Sequence, residues 1–127
     1  MSDLIRSEGA PVAAAAHWPH PQICVVQLAG DLDAATAPDL TSYLRDQTRT
    51  SPTHLVLDLA QVQFLASAGI GVILSAMHHA DGIHGRLHLV GVTNNRLIAH
   101  VLDLCGLLPR LDIHDSLDEL LNRPDHD

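Results

Sequence analysis

Residues 55–77, LVLDLAQVQFLASAGIGVILSAM, change character halfway along. Leu55-Val56-Leu57 is a short apolar run of the kind that forms a buried strand. Asp58 to Gln63 is a polar kink, and from Ser67 a segment of small and aliphatic residues has helical character. Ser67 stands at the joint. A serine just ahead of an apolar periodic run is a helix N-cap candidate, because its hydroxyl can accept a bond from a backbone N–H that the first turn leaves unpaired. Its neighbours Ala66, Ala68, Gly69, Ile70 and Gly71 are mostly small, so the hydroxyl is little shielded and another backbone can come close. A strand turning directly into a buried helix predicts an α/β unit, with an exposed serine suited to phosphate chemistry or to a contact.

The same alternation extends in both directions. Upstream, Ile23 to Leu28 is β-branched and ends at Gly30, and Gly30-Asp31-Leu32-Asp33 makes a turn. Thr36 opens a helix with Pro38 in its first turn and Asp39 three residues after the cap, close to a capping box. His54 to Leu59 is apolar almost throughout, which suits a parallel strand buried on both faces. Downstream, Arg86 to Val92 reads as a strand. Asn94-Asn95 caps a helix that carries Leu97, Ile98, Val101, Leu102 and Leu104, and Gly106 sits where a left-handed C-terminal cap belongs. Leu111 to Ile113 is a short edge strand, and Ser116 caps a last helix to Leu121. This order predicts an α/β fold, a mixed sheet of four to five strands with about four helices packed on it. The expected organisation is a loose N-terminal extension over 1–16, a domain over 17–122 and a polar tail over 123–127.

Composition narrows the function. The chain has 127 residues, enough for a single core, and 46 % of them are hydrophobic but only 2 % aromatic, so that core is aliphatic. A formal charge of −8 with no cluster of Lys or Arg argues against nucleic acid as a partner. No apolar run approaches the ~20 residues that span a bilayer, and the first residues do not follow the order of a secretion signal, so no membrane insertion and a cytoplasmic location are expected. Cys24 and Cys105 read as reduced core thiols.

Enzymatic and cofactor motifs are incomplete. Ser67 and Gly69 match half of a nucleophile elbow, with Leu65 where a glycine belongs. Gly69-Ile70-Gly71 lacks the third glycine of a dinucleotide fingerprint and the Gly-Lys-Ser/Thr of a P-loop. The ten histidines are scattered. The adjacent pair His78-His79 would point about 100° apart on a helix, and His84 and His88 lie across Gly85 and a strand, so no metal site and no cofactor are expected. Asp31 and Asp33 matter only if their turn comes beside Ser67, at the C-terminal ends of adjacent strands where α/β domains place their sites.

On these residues the chain resembles the STAS-domain anti-sigma factor antagonists of bacteria, over about residues 22–122. The resemblance rests on the Gly30-Asp31-Leu32-Asp33 turn followed by Thr36-Ala37-Pro38, on the Leu-Asp-Leu strand, on Val62 to Val72, and on Arg96-Leu97 through Leu104-Cys105-Gly106-Leu107. In that family the third segment usually reads Phe-Met-Asp-Ser-Ser/Thr-Gly-Leu-Gly-Val, and its first serine is phosphorylated by an anti-sigma factor that is also a kinase. That serine maps to Ser67. Here Ala66 replaces the aspartate and Ala68 the following Ser or Thr. The resemblance implies a non-enzymatic regulator that binds an anti-sigma factor through Asp31, Asp33, Thr36, Ala66, Ala68, Gly69, Ile70 and Gly71. Phosphorylation at Ser67 would switch it off, and a serine phosphatase would restore it. The alternative it implies is a constitutively bound STAS subunit of a larger assembly, in lipid transport or stress signalling, with Ser67 unmodified.

Overall fold

A computed structural model describes residues 2–6, 11–82 and 85–122. Among them are six strands, β1 (Ser2–Arg6), β2 (Pro11–His20), β3 (Ile23–Leu32), β4 (His54–Leu65), β5 (Arg86–Val90) and β6 (Asp112–His114). Four α-helices accompany them, α1 (Ala37–Gln47), α2 (Ser67–Gly82), α3 (Arg96–Leu104) and α4 (Leu117–Leu121). The sheet order is β1-β2-β3-β4-β5-β6, antiparallel over its first two pairings and parallel from β3 onward. The mixed α/β architecture is the expected one. It is enlarged at the N-terminal side, where residues 11–16, read as part of a loose extension, form the first half of β2 and pair with β3. Their alanines carry little strand propensity, but pairing satisfies the backbone and Ala14 is buried in the core. The proposed tail at 123–127 and His84 lie outside the described residues.

The continuous apolar runs have a two-sided explanation. In β3, Cys24, Val26 and Leu28 face the main core, whereas Ile23 and Val25 face a smaller one on the other side. In β4 the same division separates Leu55, Leu57 and Leu59 from Val56. The main core takes Leu40 and Leu44 of α1, Val72, Ile73 and Ala76 of α2, and Ile98 and Leu102 of α3; the smaller is covered by Leu117, Leu120 and Leu121 of α4. Strands buried on both faces cannot alternate polar and apolar residues. Cys24 lies in the main core, where burial pushes its thiol up to about 11 and leaves it unreactive, while Cys105 is exposed at the end of α3 rather than in the core; both are free thiols.

The polar kink at Asp58 to Gln63 does not end the strand. It is accommodated by two register shifts against β3, each giving β4 one extra residue: Gln27 pairs with Asp58 but Ala29 with Gln61, and Gly30 pairs with Val62 but Asp31 with Phe64. Asn95 anchors the first irregularity. Its Nδ2 donates to the carbonyls of Leu59 and Val62, both at 2.9 Å, while its Oδ1 accepts the Ile98 N–H at 3.4 Å and caps α3. Asn95→Ala removes the cap and leaves two carbonyls without this donor, so a loss of about 2 kcal/mol in urea unfolding is expected. Asn95→Asp restores only the acceptor and sets a carboxylate against those carbonyls, so it should be no more stable than the alanine variant. Two further predicted helix ends form as read. Gly106 is left-handed at φ +69°, with Leu107 N–H bonded to the Leu102 carbonyl, and the Ser116 hydroxyl accepts the Glu119 N–H at 3.1 Å.

Candidate functional site

Two turns meet at the C-terminal ends of parallel strands β3 and β4. The ladder between these strands runs to Asp31 opposite Phe64 and Leu32 opposite Leu65, and the Ala66 N–H then donates to the Leu32 carbonyl at 2.9 Å. The Asp31–Asp33 turn therefore lies beside the start of α2, the condition under which these carboxylates bear on Ser67.

The first turn is rigid. Asp33 Oδ1 accepts the N–H groups of Ala35 and Thr36 at 3.0 and 3.1 Å. The Thr36 hydroxyl donates to the Asp31 carbonyl at 2.9 Å and accepts the Asp33 N–H at 3.1 Å. Thr36 is 0 % exposed and makes no side-chain cap on α1. The expected capping bond thus gives way to a bond pattern that locks the turn, and Thr36, read as a partner contact, is a buried positioning residue instead. Asp31 and Asp33 are half-buried.

The second turn presents the serine. Ser67 is the first residue of α2 and not its cap; the cap position is Ala66, whose carbonyl accepts the Ile70 N–H at 3.0 Å. Among the described residues no hydrogen bond holds the Ser67 hydroxyl, and its side chain is exposed. Helix geometry leaves the N–H groups of Ser67, Ala68 and Gly69 without carbonyls one turn behind them, and Ala66 offers no side-chain acceptor. The start of α2 therefore carries an exposed nucleophilic hydroxyl and a partial positive charge suited to an anion.

Gly69 sets the position of this helix. A Cβ there would collide with the Leu32 carbonyl oxygen and lie 2.7 Å from both Leu32 Cβ and Leu65 Cδ1. Only a residue without a side chain lets α2 approach β3 this closely. Gly69 is buried and, like Thr36, positions the surface without being part of it. Ala66, Ala68 and Ile70 are half-buried, and Gly71 is exposed, with nothing within 4 Å of the point a Cβ would occupy. Phe64, 49 % exposed and three residues before Ser67, adds an apolar element that sequence reading did not single out. Its place directly after the second bulge in β4, opposite Asp31, is visible only in the strand register.

A second cluster was invisible in the sequence. His54, His88 and His114, on β4, β5 and β6, are buried in a row with Asp112 beside them. The His88 ring is lowered to about 4, first by burial, with His54, His114 and Arg86 adding to that effect and Asp112 opposing it, so the ring is neutral at physiological pH.

A family model described as STAS domain matches residues 19–120. Over 99 residues the chain is 31 % identical to the anti-sigma F factor antagonist of Paenibacillus polymyxa, covering 76 % of this chain and 82 % of that protein. The crystal structure of an anti-sigma factor antagonist from Mycobacterium paratuberculosis superposes with a TM-score of 0.73 at 26 % identity, over 87 % of this chain and 91 % of that one. The anti-sigma factor antagonist SpoIIAA matches in its unphosphorylated form with a TM-score of 0.72 over 87 % of this chain and 94 % of that one. The phosphorylated form of SpoIIAA from Bacillus matches at 0.66, over 87 % and 97 %. At 19 % identity in both cases, that likeness is one of fold. No helix among the described residues is long and apolar enough to cross a membrane. With the matched region spanning both turns and every strand from β3 to β6, the chain belongs to the STAS domain family.

Proposed function

We propose that this chain is an anti-sigma factor antagonist, a regulator and not an enzyme, that docks an anti-sigma factor on the surface around Ser67 and is released when that serine is phosphorylated. The observation that carries the reading is the exposed Ser67 hydroxyl at the first position of α2, beside the locked Asp31–Asp33 turn. The names of the relatives support the partner class. The anti-sigma factor acts as the kinase, and a serine phosphatase reverses the modification.

The electrostatics of such a switch are favourable on this chain and unfavourable across an interface. A phosphate adds about −1.5 to −2 charges. At the start of α2 it meets free N–H groups and the positive end of the helix dipole. Against a docked partner the same charge is desolvated and stands near Asp31 and Asp33, so it opposes binding.

Ala66 favours a second reading. Without the aspartate that the family motif carries before its serine, the chain serves as a permanently bound STAS subunit of a larger assembly, with Ser67 an unmodified contact. Pull-downs from the source cells with wild-type and Ser67→Asp baits, read by mass spectrometry, separate the two. The switch predicts an anti-sigma kinase retained by wild type and lost with Ser67→Asp; identical sets of transport or scaffold proteins on both baits would replace it with the second reading.

A further inference from the structure

The face of the sheet beneath α4 carries histidines on three neighbouring strands. Val56 of β4 pairs with His88 of β5, and Val90 of β5 with His114 of β6. Side chains two apart on a strand point the same way, so His54, His88, Asp112 and His114 share this face. His54 Nδ1 lies 2.9 Å from His88 Nε2, and His88 Nδ1 lies 3.1 Å from His114 Nε2. Asp112 closes a triangle with the last two, its Oδ2 3.0 Å from His88 Nδ1 and its Oδ1 3.2 Å from His114 Nε2.

Hydrogen bonding does not satisfy all three sides of that triangle. A neutral imidazole carries one N–H. If both rings donate to Asp112, two N–H groups face each other at 3.1 Å. If one ring accepts from the other, the carboxylate loses a donor. A metal ion removes the conflict. Ligand atoms held about 2.0–2.1 Å from a tetrahedral ion stand about 3.3 Å from one another; the two ring nitrogens lie 3.1 Å apart, each faces one oxygen of Asp112, and one ligand atom from each of the three residues lies within 4.8 Å of the others. With its Nδ1 lone pair on the ion, His88 keeps its proton on Nε2 and donates it to His54 Nδ1, the bond that characteristically orients a metal-bound imidazole.

We propose that His88, His114 and Asp112 form a binding site for a divalent transition-metal ion of the zinc class, with His54 orienting His88. Two imidazoles and one carboxylate suit Zn²⁺, Co²⁺, Ni²⁺ or Cu²⁺ and not the all-oxygen preference of Ca²⁺ or Mg²⁺. His88 and His114 are 3 % and 4 % exposed, so two ligands are already in place, while the side chain of Asp112 is 33 % exposed and leaves a further position open to water. The Arg86 guanidinium, 3.8 Å from Asp112 Oδ2, competes for that carboxylate, but its side chain is 69 % exposed and can swing into solvent. Two of the three ligands come from β6, a three-residue strand that runs into α4. Occupancy therefore ties this short strand, and the helix after it, to β5.

The full chain, stripped with a chelator, is titrated with Co²⁺ and then with Zn²⁺. One equivalent of Co²⁺ should develop the intense visible band of a tetrahedral site, and Zn²⁺ should displace it. Zn²⁺ at a hundredfold its Kd should raise Tm by about 5–10 °C. Asp112→Ala, at a partly exposed position, should weaken binding at least about a hundredfold, and His114→Ala should do the same. A His78→Ala/His79→Ala variant should bind as wild type does. Absence of the tetrahedral band, or binding that survives Asp112→Ala and disappears with the His78/His79 variant, would overturn the assignment.

Discussion

Ser67→Asp is expected to leave the fold intact and to weaken binding of the anti-sigma partner at least about a hundredfold, equivalent to about 2.7 kcal/mol. The fold is spared because Ser67 is exposed and its hydroxyl supports no hydrogen bond among the described residues. The substitution also places a carboxylate in the first turn of α2, where the helix dipole favours it by about 0.3–1 kcal/mol, so the urea midpoint should hold or rise slightly. Binding suffers because the new charge is desolvated at the interface and lies beside the half-buried Asp31 and Asp33. Ser67→Ala adds no charge and should bind within about threefold of wild type while incorporating no phosphate from ATP and the kinase. Isothermal titration with the purified partner, alongside urea unfolding, checks each part. Equal affinities for wild type and Ser67→Asp would remove the switch, and a large drop in the urea midpoint would show that Ser67 is structural.

Gly69→Ala should produce the largest loss of stability of any single methyl addition near the site, about 1–2 kcal/mol in urea unfolding. The added Cβ meets the Leu32 carbonyl and Leu32 Cβ, which are backbone and near-backbone atoms that cannot rotate away, as well as Leu65 Cδ1. Overpacking of this kind costs about 1–3 kcal/mol, and the gain of up to about 1 kcal/mol in helix propensity offsets only part of a clash this close. Relief requires α2 to move away from β3, which carries Ser67 away from the Asp31–Asp33 turn. Partner affinity should therefore fall together with stability. Gly71→Ala is the control: nothing lies within 4 Å of the added Cβ, so the fold should be unchanged or gain up to about 1 kcal/mol. Equal stabilities for the two variants would show that the close approach at Gly69 does not hold α2 in place.

Where sequence reading fell short, the missing information was of one kind. Helix ends that depend on neighbours in the chain came out as read at Asn95, Ser116 and Gly106, because a cap is a bond between residues a few positions apart. Thr36 looked like another cap from the same local pattern. Its hydroxyl bonds instead to the Asp31 carbonyl, since the turn out of β3 brings that acceptor within 2.9 Å. Ser67 likewise is the first residue of its helix and not the cap, because the Leu32 carbonyl captures the Ala66 N–H and leaves Ala66 in the cap position. Residues 11–16 look structureless alone and form a strand only because β3 offers an edge to pair with.

The α/β alternation, the aliphatic core, the family and the position of the candidate serine were all determined by the sequence alone, since periodicity, caps and a contiguous motif are properties of neighbouring residues. Tertiary structure decided which of the motif's residues are surface and which are scaffold: Ser67 and Gly71 outward, Thr36 and Gly69 buried. It also decided that three of the ten histidines meet. His54, His88 and His114 are separated by 34 and 26 residues along the chain and are brought to contact only by the parallel pairing of β4, β5 and β6, whose registers no local pattern encodes.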